Sequence, residues 1–205
     1  MRADLEIISR WIQPGSEVLD LGCGDGVLLA NLRESRQISG YGVEIDEAKI
    51  ANCIGAGVNV IHMDLEAGLS DFTDQAFDYV IMTQTLQAVQ HTERLLDEML
   101  RVGREGIVTF PNFGHWRCRF QLALGGHMPV VKVLPHAWYN TPNVHLFTIH
   151  DFERLCHRKG IKILQRAVVD HYHRASLGMR LLPNLLGELA LYRLGRPVTK
   201  GTDGT

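Results

Sequence analysis

The segment Asp20–Gly26 holds the residue types best suited to bind a ligand. It reads Asp-Leu-Gly-Cys-Gly-Asp-Gly and closes the apolar run Val18–Leu21, which predicts a short strand. Helical spacing resumes at positions 27–32, so the pattern is strand, glycine turn, helix. In such a turn, backbone N–H groups and the helix N-terminus can face a bound polar or anionic group, and glycine permits close approach.

The spacing around this turn limits the class of ligand that the turn can bind. The dinucleotide-binding fingerprint GxGxxG needs its third glycine at position 27, where this chain has Val27, and Gly26 lies one residue too early. A nicotinamide or flavin dinucleotide is therefore disfavoured. Glu44 follows Gly26 by 18 residues, at the carboxyl end of the second predicted strand. A carboxylate there can accept hydrogen bonds from both hydroxyls of a ribose. A glycine turn alone is often only a tight connection, but with this acid it predicts a site for a ribose-bearing ligand.

Strands and helices must alternate for this site to form, and the sequence predicts that they do. Apolar runs bounded by turn residues predict five strands, and helical spacing predicts helices between them. Further strands are predicted at 161–169 and 189–194, with Thr148 capping a helix at 149–158. This order is typical of the α/β class, and we expect a doubly wound, mostly parallel sheet with helices on both faces. The first five strands are Val18–Leu21, Tyr41–Ile45, Val58–Met63, Phe77–Met82 and Gly106–Phe110.

Residues 112–147 lose this regular pattern, since prolines, aromatic residues and histidines are mixed there around one helix near 116–124. We expect an irregular rim on the acceptor or partner side of a single domain spanning residues 1–198. The tail 199–205 is expected to be flexible. Polar side chains of the rim are candidates to face a second substrate: Asn112, His115, Tyr139, Asn140 and His145.

Composition excludes several classes of protein. With 45% apolar and 21% charged residues among 205, the chain is an ordinary globular one. Its net charge of −2 is too small for non-specific binding to nucleic acid, although residues 1–100 carry 6 Lys/Arg and 17 Asp/Glu (net −11) and residues 101–205 carry 15 and 6 (net +9).

The four cysteines form no CxxC pair, so a reducing cytoplasm is expected. No apolar run reaches the roughly 18 residues of a membrane span. His171 and His173 lack a third metal ligand at usable spacing, so no metal site is expected.

The run Val18–Gly26, together with Glu44 and Asp64, resembles the class I S-adenosylmethionine-dependent methyltransferases over residues 15–110. That resemblance implies S-adenosylmethionine or S-adenosylhomocysteine as the ligand. It also implies a role for each matching residue. The glycine turn would hold the methionine part of the cofactor, and Glu44 would bind the ribose. Ile45 would cover one face of the adenine, and Asp64 with the Leu65 backbone would bind the adenine edge. Thr83 and Gln84 would border the sulfonium. The turn residues assigned by the resemblance are Asp20, Gly22, Cys23, Gly24 and Gly26.

A closer resemblance, to the MetW family of methionine biosynthesis proteins, covers almost the whole chain. It implies a place in methionine biosynthesis and a partner, the homoserine O-acyltransferase MetX, with which such proteins work in certain bacteria. Of the runs that carry it, the second and third are particular to that family. The motifs are Leu19–Gly26, Gly42–Asp46, Phe110–Trp116, Trp138–Asn143 and His150–Phe152.

The sequence leaves the chemistry open. Methyl transfer needs chiefly an in-line approach, so a dedicated base is optional; His115 is the weak candidate for one, and capping a loop or contacting a partner explains it equally well. Cys23 has no adjacent base and is interpreted as a small tolerated residue rather than a nucleophile. Many active methyltransferases have a bulky or histidine pair after the fourth strand, where this chain has Gln87 and Ala88.

Three functions therefore compete. The first is a cofactor-binding accessory protein that activates or regulates the acyltransferase, and the second is an active methyltransferase on an unidentified small molecule. The third, a nucleic-acid methyltransferase, is disfavoured because the basic residues of the second half fit a solvated helix and strand edge. The Asn/Asp-Pro-Pro-aromatic run of amino-methylating enzymes is also missing.

Overall fold

A computed structural model describes residues 3–170 and 176–196 of the chain. Its centre is a seven-stranded sheet in the order β3-β2-β1-β4-β5-β7-β6, in which β7 runs antiparallel to both neighbours and the other pairs are parallel. This confirms the predicted α/β class and the mostly parallel sheet. The strands are β1 Glu17–Leu21, β2 Ser39–Glu44, β3 Val60–His62, β4 Phe77–Thr83, β5 Gly103–Pro111, β6 Lys162–Val169 and β7 Leu189–Gly195.

Helices follow most strands, and those predicted from helical spacing are confirmed. Two further helices near the C-terminus were not predicted, because five and four residues are too few to show a helical period. The helices are α1 Ala3–Trp11, α2 Val27–Arg36, α3 Glu47–Gly55, α4 Thr92–Val102, α5 Trp116–Gly125, α6 Ile149–Arg158, α7 Leu177–Leu181 and α8 Pro183–Leu186. The histidines considered for a metal site, His171 and His173, and the tail 199–205 lie outside the described residues.

The core lies in two layers, one on each face of the sheet. Alternate residues of a strand point to opposite faces, so Val80 and Met82 of β4 pack under α4 and α6, whereas Ile81 packs with α1 and α2. Strands covered on both faces read as continuous apolar runs, as β1 and β4 do here. With both faces covered, the loops at the carboxyl ends of the parallel strands are left to form a ligand site.

Thr148 caps α6 as predicted, in a reciprocal capping box. Its Oγ1 accepts a hydrogen bond from the Asp151 N–H at 3.2 Å, and the Asp151 carboxylate accepts from the Thr148 N–H at 3.0 Å. The hydrogen bonds from Thr148 hold the pKa of Asp151 below its ordinary value. The box therefore stabilises the folded protein at neutral pH, and this contribution is lost as the pH falls through that lowered pKa.

Replacing Thr148 by alanine is expected to lower the free energy of unfolding by about 1 kcal/mol, because the N-terminus of α6 loses its side-chain acceptor. Urea denaturation at pH 7 measures the change. Thr73→Ala, at an exposed loop threonine, is the matched control and should leave the midpoint unchanged. Equal midpoints for wild type and Thr148→Ala would contradict the assigned cap.

Candidate functional site

The glycine turn lies where the chain order of the sheet reverses. β1 is flanked by β2 on one side and β4 on the other, and in open α/β sheets ligands bind at such a point. Gly22, Gly24 and Gly26 all have positive φ, between +57° and +74°, which side chains rarely adopt. A Cβ at Gly22 would also lie 2.6 Å from the Thr85 hydroxyl oxygen. Glycine is therefore strongly favoured at these positions.

Glu44 is fixed against this turn at the end of β2. One carboxylate oxygen accepts a hydrogen bond from the Gly24 N–H at 2.9 Å, and the other accepts from the N–H groups of Ile45 and Asp46 at 2.9 and 3.1 Å. The side chain is buried. An ionised carboxylate has about four acceptor sites, so Glu44 orders the turn with three of them and keeps one for a hydrogen bond from a ligand.

Asp20, at the carboxyl end of β1, is completely buried beside Glu44. Neither of its carboxylate oxygens has a hydrogen-bond partner among the described residues. Burial, and then repulsion from Glu44, raise the pKa of Asp20 to about 7. A buried carboxylate without donors is costly, and a cationic N–H donor bound at the turn would relieve that cost.

A cavity of about 560 Å³ opens in front of the turn. Its volume is in the range of small-molecule sites. One side consists of residues from the ends of β1, β2 and β4, and the other side is closed by loop residues 133–143. The structure thus brings together most of the predicted ligand-binding residues on one cavity wall: Gly22, Gly24, Glu44, Ile45, Asp64, Leu65, Thr83 and Gln84.

Three predicted residues, Asp20, Cys23 and Gly26, belong to the turn without lining the cavity. The Cys23 thiol is buried 3.7 Å from that of Cys53, which donates a hydrogen bond to the Gly24 carbonyl oxygen at 3.1 Å. Burial raises the pKa of both thiols. They are protonated at neutral pH and support the turn from behind, which agrees with the interpretation of Cys23 as a packing residue.

His115 does not reach the cavity wall. It is buried at the start of α5, with its Nε2 3.9 Å from a carboxylate oxygen of Glu188. Among the described residues that line the cavity, none is one of the five rim candidates. Asn112 instead joins the loops around β5, because its side-chain amide donates to the carbonyls of Asn184 and Gly187 at 3.0 and 2.8 Å.

The sequence did not identify several residues of the wall. His136 and Asn143 line it from the irregular loop, and Lys49 lines it from α3. Gln87 is buried at the wall, donates from its amide to the Gln84 carbonyl oxygen at 2.7 Å, and has an amide oxygen without a partner in the described part of the chain. From the sequence, Gln87 is only a departure from the pattern of active methyltransferases, because the burial of its unpartnered amide oxygen depends on the fold.

Within residues 3–170 and 176–196, no group of three or more His, Cys, Asp or Glu side chains is placed to hold a metal ion. In the same part of the chain, none of the helices combines the length and the apolar composition needed to cross a membrane.

Solved structures with the same fold include several methyltransferases. An S-adenosylmethionine-dependent methyltransferase from Mesorhizobium loti superposes with a TM-score of 0.67 and 17% identity, over 95% of this chain and 98% of the other. A possible histamine N-methyltransferase from Thermotoga maritima gives a TM-score of 0.65 and 18% identity, over 95% and 88%. At these identities the likeness establishes the class I methyltransferase fold and nothing finer.

The sequence comparisons are more specific. A bifunctional methionine biosynthesis protein MetXA/MetW from Rhodopirellula baltica is 37% identical over 193 residues, which make up 90% of this chain. The match spans only 30% of that relative's length. The model of the family "Methionine biosynthesis protein MetW" matches residues 2–194. With the fold and the glycine-turn site described above, these matches show that the chain belongs to the MetW family of methionine biosynthesis proteins.

Proposed function

We propose that this chain binds S-adenosylmethionine or S-adenosylhomocysteine in the cavity at the glycine turn and acts with a homoserine O-acyltransferase in methionine biosynthesis. The observation that carries the ligand assignment is the pair of buried carboxylates, Asp20 and Glu44, one without donors and one fixed by three backbone N–H groups. The family membership and the methyltransferase fold support it.

The residues present fit the cofactor. Asp20 supplies an unpaired buried acceptor next to the turn, where the α-ammonium of the methionine part would lie. Glu44 has one acceptor site left for a ribose hydroxyl, and Ile45, whose side chain is 55% exposed at the cavity, covers one adenine face. Asp64 uses one carboxylate oxygen to accept the Glu66 N–H at 2.9 Å. Its other oxygen is then available to the exocyclic amine, beside the Leu65 backbone.

The charge of the cavity also favours a cation. Glu44, Asp64 and Glu66 line it, Asp20 lies directly behind, and Lys49 is the basic residue on the same wall. The cofactor supplies an activated methyl on a positively charged sulfur. Thr83 and Gln84, at the end of β4, border that end of the cavity and hold it with neutral groups. The demethylated product lacks the sulfonium charge, so the acidic cavity should prefer the methylated form.

The partner assignment is supported by the relative in which MetXA and MetW form one polypeptide. Two proteins that are fused into one polypeptide stay close to each other in space. A separate chain of the same family is therefore proposed to bind its acyltransferase and to make the activity of that enzyme depend on the cofactor.

Methyl transfer to a small molecule is the second candidate. It is favoured by His136 and Asn143, which line the same cavity from loop 133–143 and offer an acceptor polar partners. Positioning alone can supply much of the catalysis of methyl transfer. Transfer of a labelled methyl group into a metabolite extract would establish this activity, and lack of any labelled product would exclude it for the metabolites present.

Calorimetric titration of the cofactor, with and without the homoserine O-acyltransferase of the same organism, tests the proposal. We expect one cofactor per chain, and an affinity that the acyltransferase changes by the same factor by which the cofactor changes acyltransferase binding. Absence of cofactor binding would overturn the ligand assignment. Cofactor binding with no complex and no change in acyltransferase rate would overturn the partner assignment alone.

A further inference from the structure

Helix α5 is an unusually exposed apolar helix. Of its ten residues, all of them described, Cys118 is the buried one. Trp116, Phe120 and Leu124 recur every four residues and therefore share one face of the helix, with 45%, 59% and 73% of each side chain exposed. A helix this short is marginal in water without packing of an apolar face. The exposed face of α5 is therefore suited to contact another molecule.

The loop after α5 continues this exposed surface. The side-chain amide of Gln121 donates to the Val130 carbonyl oxygen at 3.3 Å and accepts from the Val130 N–H at 2.9 Å, which fixes the loop against the helix. Trp138 and Tyr139 are each 73% exposed and form an edge-to-face pair with centroids 5.8 Å apart. We name this surface the insertion face; its side chains are Trp116, Phe120, Leu124, Met128, Val130, Trp138 and Tyr139.

The insertion face has the size and composition of a protein interface. Each of these side chains exposes on the order of 100 Å², so together they approach the roughly 800 Å² that each partner buries in a standard interface. Tryptophan, tyrosine and phenylalanine are enriched in the buried centres of interfaces. Met128 and Trp138 line one small pocket, which places the start of the loop beside the aromatic pair. An exposed apolar surface of this kind marks an interaction site.

The charges around the face indicate the kind of partner. Residues 106–150 contain no Asp or Glu, whereas Arg117, Arg119 and Lys132 lie within them. Arg117 is stacked over the Trp116 ring, 5.4 Å from its centroid. A partner must therefore present an apolar centre with an acidic rim. A second copy using the same face would set basic residues against basic residues, which disfavours self-association.

The same loop also forms part of the cofactor cavity. Val133, Pro135 and His136 line the cavity just before Trp138 and Tyr139 in the sequence, and Pro142 and Asn143 line it just after. A molecule bound to the exposed aromatic pair therefore contacts the segment that closes the cofactor site. Any shift of this segment on docking changes the cavity wall, and cofactor binding shifts the docking surface in return.

We infer that the insertion face is the docking surface for the homoserine O-acyltransferase, and that loop 133–143 couples docking to cofactor occupancy. This inference rests on the proposed function and adds to it the surface and the route of coupling. The fused relative supports this occupant, because its acyltransferase and MetW parts belong to one polypeptide.

Two double variants test the surface: Phe120→Ser with Leu124→Ser on α5, and Trp138→Ser with Tyr139→Ser on the loop. All four side chains are exposed, so the fold should persist. Ile54→Ser, at an aliphatic side chain of α3 that is 65% exposed, is the matched control. Binding to the acyltransferase of the same organism is measured by calorimetry with and without S-adenosylmethionine. Each double variant should weaken binding at least tenfold, as loss of interface anchors does, and the control should bind as wild type does.

The coupling has its own readout. Without the acyltransferase, the α5 variant should bind the cofactor with the same affinity as wild type. Adding the acyltransferase should no longer change the cofactor affinity of this variant. Unaltered acyltransferase binding by both double variants would overturn the inference and leave the proposed function intact. Failure of the wild type itself to form a complex would overturn the proposed partner and this inference together.

Two other occupants are outcomes of the same experiment. Vesicles of phosphatidylglycerol and phosphatidylcholine test a membrane, and sedimentation of the chain alone tests a second copy. Loss of vesicle binding or of self-association in the double variants, with acyltransferase binding unchanged, would assign the face to that occupant and overturn the inference.

Discussion

Asp20→Asn should make the free protein more stable at pH 8 while weakening cofactor binding. Asp20 is buried without donors, and its pKa is raised to about 7. Folded protein therefore holds a proton there that the unfolded chain releases above its ordinary pKa near 4. The contribution of Asp20 to the free energy of unfolding therefore falls as the pH rises from about 4 to 7, by up to about 4 kcal/mol in total. Asparagine, a neutral residue of the same shape, avoids that loss.

Urea denaturation of the ligand-free protein between pH 5 and 8.5 measures this effect. Wild type should lose stability from pH 5 to about pH 7 and then level off, whereas Asp20→Asn should lack this loss and be more stable at the alkaline end. Asp25→Asn, at an exposed carboxylate of the same turn, is the control and should follow wild type. A variant that is less stable than wild type at pH 8 would contradict the account of Asp20 as a costly buried acid.

Cofactor binding should respond in the opposite sense. Ionised Asp20 attracts the α-ammonium from behind the turn, so binding to wild type should tighten as the pH rises from 6 to 8, by up to about tenfold per unit below pH 7. Asp20→Asn should bind at least tenfold more weakly at pH 8 and lose this pH dependence, because the buried negative charge behind the turn is missing. An unchanged affinity and pH profile would place the ammonium elsewhere.

Glu44→Ala is expected to weaken binding of both S-adenosylmethionine and S-adenosylhomocysteine by about 100-fold. Hydrogen bonds to a charged group contribute about 1.5 to 3 kcal/mol each, and the variant loses the one from a ribose hydroxyl. It also releases the Gly24, Ile45 and Asp46 N–H groups that order the turn. Because the ribose is common to both ligands, both affinities should fall by similar factors.

Calorimetry with each ligand checks this prediction. Glu47→Ala removes an exposed acid three residues further along, in the first turn of α3, and is the matched control. We expect it to bind within a factor of about two of wild type, since an exposed charge contributes little. Equal affinities for wild type and Glu44→Ala would contradict the ribose assignment and leave the glycine turn without its proposed function.

The elements that depend on local pattern could be predicted from the sequence. The strand before Asp20, the glycine turn and the position of Glu44 follow from periodicity and short spacings, and the structure brings the turn and the acid together as expected. Capping by Thr148 is equally local and is confirmed. The third strand is shorter than predicted, Val60–His62 rather than 58–63, because the Val58 N–H bonds to the Cys53 carbonyl oxygen after α3.

What depends on distant contacts could not be predicted. His115 directly follows β5 in sequence and was expected near an acceptor, yet it packs beside Glu188, 73 residues later, which no local pattern relates to it. Similarly, loop 133–143 has no period, so nothing in its sequence shows that His136 and Asn143 face the cavity while Trp138 and Tyr139 face outward. The expectation of one domain over residues 1–198 stays a prediction.

A crystal structure of the protein with S-adenosylhomocysteine tests the central claim most directly. We predict that a ribose hydroxyl contacts the Glu44 carboxylate, that the ammonium end lies at the turn near Asp20, and that adenine lies between Ile45 and Asp64. A cavity that stays empty at saturating ligand, or a ligand bound away from the glycine turn, would contradict the account.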